Sequence, residues 1–230
     1  MTRWPLLALL AGLAVPLAVP LAAAQDRDFI ETEGLLSDDD FYRLVACAAP
    51  PGEPCAKPLL HWPTDRALTV RIASMDRAFL GGKRKRAQAA LERAVQYLNA
   101  AGMGLRLRPV AEAPADIEIH FLDTDGRTPV QGSGIEGADG VTVTGARVIT
   151  FSRQDTHRIL RATILFGTRL HISHYESAML EELTQSLGLM TDIRNPVYEG
   201  VSIFSQDSND TKQFGEQDLM VLRRHYPVEK

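Results

Sequence analysis

The side chains best able to carry chemistry at one place are the acidic and amide groups between positions 181 and 192. Glu181 and Gln185 lie four positions apart, so in a helix they share one face, and Glu182 lies about 100° round from Glu181. Asp192 follows shortly after the same segment. A carboxylate can ligate a metal ion or accept a proton as a general base. These four residues form the candidate site that the sequence predicts.

Their spacing matches a zinc-peptidase motif in which the ligands have changed. In H-E-x-x-H, two histidines one helical turn apart bind zinc, and the intervening glutamate activates the bound water. Glu181 takes the first ligand position, Glu182 the general-base position and Gln185 the second ligand position. Thr191 or Asp192 would be the third ligand. Because an amide oxygen is a poor zinc ligand, we expect no cofactor, with zinc only in the alternative of an atypical peptidase.

Two histidines just before this segment offer a second set of possible ligands. His171 and His174 could bind a metal with Glu176 or His120, because imidazole is a better zinc ligand than an amide. We favour the simpler interpretation, in which both histidines are polar residues at a solvent-facing helix start. The sequence contains no G-x-S-x-G nucleophile motif.

The helix that carries the candidate site is predicted over residues 175–189. Ser173 and Glu176 fit a capping box at its start. One apolar stripe at helical spacing is expected to face the core, and it consists of Leu180, Leu183 and Leu187.

The other elements follow from periodicity. Alternating patterns predict strands over residues 68–72, 105–110, 115–121 and 146–151, and helical spacing predicts helices over residues 84–101, 155–164 and 216–226. Residues 123–140, rich in Gly, Asp and Thr, read as a loop. This order predicts an α+β fold with a mixed sheet.

The N-terminal region indicates export. In residues 1–24 a cation at Arg3 precedes a long apolar run and a small-residue exit, which is the layout of a cleaved signal peptide. Residues 25–61 are predicted to be an N-terminal extension, beginning as a flexible arm, in which Cys47 and Cys55 form a disulfide around a Pro/Gly-rich turn. We expect no membrane span after cleavage and a periplasmic or secreted location. The 29 acidic and 25 basic residues give no sign of a nucleic-acid partner.

Features around the candidate helix resemble the metzincin group of zincin peptidases. Gly188 stands where the extended metzincin pattern has a glycine, three residues after the second histidine. Residues 202–205 look like the metzincin Met-turn with Phe204 in place of methionine. Residues 115–121 resemble the strand that lines a metzincin cleft, and residues 218–226 resemble the terminal helix. The resemblance implies a zincin-like domain over residues 62–230, with a mixed sheet, a long central helix and a C-terminal helix.

A second resemblance includes the N-terminal extension. The segments 41–47, 51–55 and 181–189, with Trp62 and residues 202–204, resemble domain of unknown function family 2927, which consists of exported or lipoprotein-type bacterial proteins. That family has no established activity, so the resemblance implies a location and an architecture without a reaction.

The function predicted from these features is non-catalytic. We expect an exported protein that binds an envelope protein or peptide in a cleft along the Glu181 helix, on a degenerate metalloprotease-like scaffold. The alternative is a metallopeptidase in which Glu181, Gln185 and Asp192 hold a metal and Glu182 is the general base.

Overall fold

The computed structural model describes residues 29–208 and 210–228, in which strands and helices form a mixed α+β fold. The predicted signal peptide, residues 1–24, lies outside the described residues. The strands are β1 (Phe29–Glu31), β2 (Leu68–Met75), β3 (Leu107–Pro109), β4 (Ile117–Leu122), β5 (Ala146–Ser152), β6 (Ile159–Gly167) and β7 (Asp192–Arg194). The helices are α1 (Asp38–Cys47), α2 (Gly82–Ala100), α3 (Tyr175–Gln185) and α4 (Glu216–His225).

The main sheet is mixed, as the sequence predicts. Its strand order is β3-β2-β4-β6-β5, with β5 antiparallel to β6 and the other neighbours parallel. The alternating residues Ile117, Ile119 and Phe121 of β4 are fully buried, because they point to the face that the helices cover. The alternation visible in the sequence therefore marks the buried face of the sheet.

One predicted element is wrong. Residues 155–164 were expected to form a helix, but β6 begins at Ile159 and runs between β4 and β5. Residues 162–167 of this strand are buried almost throughout, so the chain shows a continuous apolar run instead of an alternation. Such a run can be read as either a buried strand or a buried helix, and position in the middle of the sheet decides it.

Helices α2 and α3 pack against each other on the sheet. The predicted apolar positions of α2 are buried, and so is the stripe predicted for the helix over residues 175–189, although α3 ends at Gln185 and Leu187 lies in the turn that follows. These residues are Ala87, Leu91, Val95, Leu98, Leu180, Leu183 and Leu187. They belong to one hydrophobic cluster that includes residues from all four described helices. In the described part of the chain, no helix is long and apolar enough to cross a membrane.

The described part of the N-terminal extension is packed into this same cluster. β1 pairs in parallel with β7, so the expectation of a flexible arm is wrong for residues 29–31. α1 packs against α4 and β7, and the buried ring of Phe41 lies edge-on to those of Tyr198 and Phe204. Residues near both ends of the chain therefore complete one core.

The start of α3 differs from the predicted capping box. A short 3₁₀ turn, Ile172–His174, precedes the helix, and its cap is His171, whose Nδ1 accepts from the Ser173 N–H. The Ser173 hydroxyl lies 2.7 Å from the same nitrogen. Since Ser173 is engaged with His171, it does not cap α3.

Candidate functional site

A cleft of about 710 Å³ lies between α3 and β5. All four residues of the predicted site line it, three from α3 and one from β7: Glu181, Glu182, Gln185 and Asp192. The facing wall is the start of β5, residues 146–148, and Lys57 and Gln206 contribute to the rim. We call this space the α3–β5 cleft.

Helical periodicity explains how α3 presents polar groups to the cleft. Leu180, Leu183 and Leu187 turn into the core, which leaves the positions of Glu181 and Gln185 on a different side of the helix. Glu181 and Gln185 are partly buried, whereas Glu182 is only 6% exposed. The cleft therefore holds an almost fully enclosed carboxyl group next to a more accessible one.

Gly188 lets the chain reverse after α3 and bring Asp192 back to the cleft. Its φ is +102°, and a Cβ at this position would lie 2.2 Å from the Leu60 carbonyl oxygen. The chain then enters β7, and the Gln185 side-chain amide donates a 2.8 Å hydrogen bond to Asp192 Oδ1. The glycine that resembles a metzincin glycine is thus required here by backbone conformation and by a close contact.

The carboxyl groups of the cleft influence one another. Burial raises the pKa of Glu181 well above its ordinary value, and the nearby carboxylates of Asp192 and Glu182 raise it further. A carboxyl group in such surroundings retains its proton to higher pH and can then donate a hydrogen bond. The Glu181 carboxyl group can therefore donate a hydrogen bond at pH values where an ordinary glutamate only accepts one.

The predicted disulfide is confirmed, and it closes the turn that precedes Lys57, a residue of the cleft lining. Cys47 at the end of α1 is bonded to Cys55. The carbonyl oxygen of Cys47 accepts hydrogen bonds from the N–H groups of Ala56 and Lys57, at 3.1 and 3.0 Å. The covalent bond and these two contacts fix the turn that carries Lys57 to the cleft.

The residues of the cleft do not fit a zinc ion. Among residues 29–208 and 210–228, no group of three or more His, Cys, Asp or Glu residues is arranged to hold a metal. Gln185 uses its amide nitrogen as a donor to Asp192, so the second and third proposed ligands bind each other. Thr191, the other proposed third ligand, is 1% exposed and does not line the cleft.

The alternative histidine ligands make other contacts in the folded chain. The rings of His171 and His174 have centroids 6.4 Å apart, and His171 is bonded to Ser173. His120 lies in β4, where Nδ1 is 2.8 Å from the Ser74 hydroxyl oxygen of β2. The Glu176 carboxylate oxygen Oε1 lies 3.9 Å from Nε of Arg93.

One of the segments that resemble a metzincin lies in a different place from the one expected. Residues 115–121 were matched to the strand lining the cleft, but β4 is an interior strand and β5 lines the cleft instead. Phe204 is fully buried, and its carbonyl oxygen accepts from the Ile193 N–H at 2.7 Å, so the turn at 202–205 supports β7. The C-terminal helix is present as α4.

Sequence reasoning missed several polar residues of the cleft, among them Lys57, Arg147 and Gln206. They come from the disulfide turn, from β5 and from the turn after residue 205. None of them lies near α3 in the sequence, and only the folded chain brings them to it. The sequence signal for Lys57 was its position two residues after Cys55.

A comparison with known protein families gives a match over residues 49–229 to the family described as "Protein of unknown function (DUF2927)". The chain belongs to this family. No curated protein matches the chain.

Proposed function

We propose that this is an exported protein, periplasmic or secreted, that binds an extended peptide segment of an envelope protein in the α3–β5 cleft without cleaving it. The scaffold in this proposal is a zincin-like fold whose metal site has degenerated. The observation that carries the proposal is the position of β5, an edge strand that forms one wall of a cleft whose other wall is a polar helix.

The backbone of β5 supports this mode of binding. The Gly167 N–H donates to the Gly145 carbonyl oxygen at 2.8 Å, and residues of an antiparallel strand alternate between facing the partner and facing outward. The N–H and C=O groups of Ala146 and Val148 therefore face away from β6, on the side of the cleft. An extended peptide can add to such an edge through main-chain hydrogen bonds.

The side chains of the cleft would then select among peptides. The lining combines carboxyl groups of Glu181, Glu182 and Asp192 with the cationic side chains of Lys57 and Arg147. A peptide that carries both basic and acidic side chains at alternate positions would match this surface. The expected ligand is therefore an extended peptide segment that carries both basic and acidic side chains.

The hydrogen bond between Gln185 and Asp192 favours binding over peptide hydrolysis. In the competing peptidase, Glu182 would act as general base on a metal-bound water, and both Gln185 and Asp192 would have to exchange their mutual contact for a metal. Export is supported by the Cys47–Cys55 disulfide, because such bonds persist in oxidising compartments.

The test uses a library of fluorescently labelled, randomised decapeptides and measures binding by anisotropy. Ala146→Pro removes one outward N–H at the first residue of β5, a position where proline is tolerated in strands. We expect selected peptides to bind Ala146→Pro about tenfold more weakly than the unmodified protein, which corresponds to losing one well-formed hydrogen bond and its register. The matched control, Ala146→Ser, keeps the N–H and should bind normally.

Two results would reject the proposal. One is equal binding to Ala146→Pro and Ala146→Ser. The other is a protein that, purified without chelator, contains near-stoichiometric metal that is lost in Glu181→Ala and cleaves the bound peptides, because this result would establish the peptidase.

A further inference from the structure

A second concave space, of about 700 Å³, opens at the carboxyl ends of β2 and β4. We call it the polar crevice. Ser74 and Asp76 contribute from the end of β2, and His120 and Asp123 from the end of β4. Residues 124–135 of the following loop form the facing wall. The polar crevice shares no lining residue with the α3–β5 cleft.

The topology of the sheet explains why a crevice lies at this point. The connection after β2 is α2, which leads to β3 on one side. The connection after β4 is the 123–145 segment, which leads to β5 and β6 on the other side. Where the connections after two parallel neighbours diverge, a crevice forms outside their carboxyl ends, and ligands commonly bind there.

The loop over the polar crevice is held in shape by its own contacts. Asp125 accepts hydrogen bonds from the N–H groups of Arg127 and Thr128, at 2.8 and 2.7 Å. Asp139 accepts from the N–H groups of Gly132 and Ser133, both at 3.0 Å. A separate small apolar cluster lies beneath the loop and consists of Leu122, Ala138, Val143 and Leu165. Long loops without secondary structure that are ordered in this way are often functional.

The floor of the crevice carries a fixed imidazole. The side chain of His120 is 10% exposed, and its Nδ1 lies 2.8 Å from the Ser74 hydroxyl oxygen. Its Nε2 makes no hydrogen bond within the described residues; the nearest carboxylate oxygen, of Glu118, is 4.0 Å away. Burial lowers the pKa of His120, so the ring is neutral at neutral pH and offers a hydrogen bond without a positive charge.

The lining determines the charge of the ligand. Three carboxyl groups, of Asp76, Asp123 and Asp125, line the crevice, and no Lys or Arg of residues 29–208 and 210–228 does so. The Asp76 carboxylate accepts the Asp123 N–H at 2.8 Å, which ties the ends of β2 and β4 together. In the described residues, the Asp123 side chain itself makes no hydrogen bond or ion pair. A cationic group is therefore favoured at this rim, and a phosphate or carboxylate ligand is disfavoured.

The remaining polar lining suits a ligand rich in hydroxyl groups. Ser74, Thr124, Thr128 and Ser133 provide hydroxyls, and Gln131 provides an amide. Leu122, Val130 and Ile135 add an apolar surface against which a ring can pack. Groups that both donate and accept hydrogen bonds match the hydroxyls of a sugar, whose own groups do the same.

We propose that the polar crevice binds a small hydroxylated amine of the amino-sugar class, with its ammonium group at Asp76 and Asp123 and its hydroxyls toward Ser74 and His120. This site is independent of peptide binding in the α3–β5 cleft.

The test is an NMR titration of the purified protein with three probes that share a ring and differ in charge: glucosamine, glucose and glucose 6-phosphate. At mildly acidic pH, where glucosamine is cationic, we expect saturable shifts of the amides of residues 123–135. Glucosamine should bind about fivefold more tightly than glucose, as expected for an ammonium beside exposed carboxylates, and glucose 6-phosphate should be weakest.

The matched variants change charge without changing shape. Asp76→Asn with Asp123→Asn should weaken glucosamine binding about fivefold and leave glucose binding unchanged. Asp155→Asn, which removes one negative charge at an exposed site outside the crevice, should have no effect. The proposal is overturned by equal affinity for glucosamine and glucose, by the absence of saturable shifts with glucosamine, or by full binding in the double variant. None of these results bears on peptide binding by Ala146→Pro.

Discussion

The α3–β5 cleft and the polar crevice have similar volumes, about 710 and 700 Å³, but they are built differently. The cleft lies between a helix and a strand that both pack into the main core. The crevice lies between strand ends and a loop, and the loop rests on a small cluster of its own. The shape of the cleft therefore depends on core packing, and that of the crevice depends on turns and their hydrogen bonds.

The two spaces also differ in charge. Both signs of charge line the cleft, whereas among the described residues the Asp, Glu, Lys and Arg side chains that line the crevice are all aspartates. One wall of the cleft is an edge strand, β5. Hydroxyl groups and one imidazole line the crevice. One fold thus offers an extended surface and a compact one, and changes to each should have separate effects.

The largest effect is expected from paired glycine substitutions, one behind each space. In Gly188→Ala the new Cβ would lie 2.2 Å from the Leu60 carbonyl oxygen at φ +102°, so we expect the free energy of unfolding to fall by about 3 kcal/mol or more. Gly132, in the crevice loop, has φ +60° and open space within 4 Å, so Gly132→Ala should cost only about 1–2 kcal/mol. Urea unfolding of both variants measures the difference. Similar losses of unfolding free energy in the two variants would show that the backbone is packed no more tightly behind α3 than in the crevice loop.

Removal of the disulfide should have an intermediate effect that is confined to the cleft side. Cys47 and Cys55 are separated by eight positions, and closing so short a loop stabilises a fold by about 2–3 kcal/mol on the chain-entropy model. We expect Cys47→Ser with Cys55→Ser to unfold at lower urea, and reductant to lower the stability of the unmodified protein by the same amount. The double variant should not respond to reductant. NMR shifts should appear near Lys57 and be absent from residues 123–135; shifts in the crevice loop would contradict the separation of the two spaces.

The sequence predicts the fold well where one side of an element is buried. Ile117, Ile119 and Phe121 alternate because β4 has one face toward the helices, and Leu180, Leu183 and Leu187 recur at helical spacing for the same reason. The prediction for β6 was wrong because this strand lies between β4 and β5 and is buried over residues 162–167. Its apolar run therefore lacks the alternation that marks a half-buried strand. The Ser173 cap was predicted wrongly because His171 competes for the serine.

The candidate site was only partly visible in the sequence. Glu181, Glu182 and Gln185 share a helix, so their proximity follows from helix geometry. The hydrogen bond from Gln185 to Asp192 depends on the chain reversal at Gly188, and the facing wall of β5 depends on strand order. Local spacing determines which residues share a face, and long-range topology determines what they face.

The smallest expected effect distinguishes the carboxyl groups of the two spaces by the sign of their pH dependence. Burial and neighbouring carboxylates raise the pKa of Glu181, so between its ordinary value and the raised value the folded protein binds more protons than the unfolded chain. Stability contributed by this group is therefore lost as pH rises. Glu181→Gln cannot ionise, so this variant should lose less stability than the unmodified protein as the pH rises above 4.5, the ordinary pKa of a glutamate.

Asp125 in the crevice loop should show the opposite sign. Hydrogen bonds from Thr128 and Arg127 hold its pKa at about 2, below the ordinary 3.8, so its contribution is present above pH 3.8 and is lost as pH falls toward 2. Asp125→Asn should therefore be less stable than the unmodified protein near neutral pH, and the two should converge in acid. Urea unfolding at a series of pH values measures both variants. The same sign of pH dependence for Glu181→Gln and Asp125→Asn would contradict the opposite pKa shifts of the two carboxyl groups.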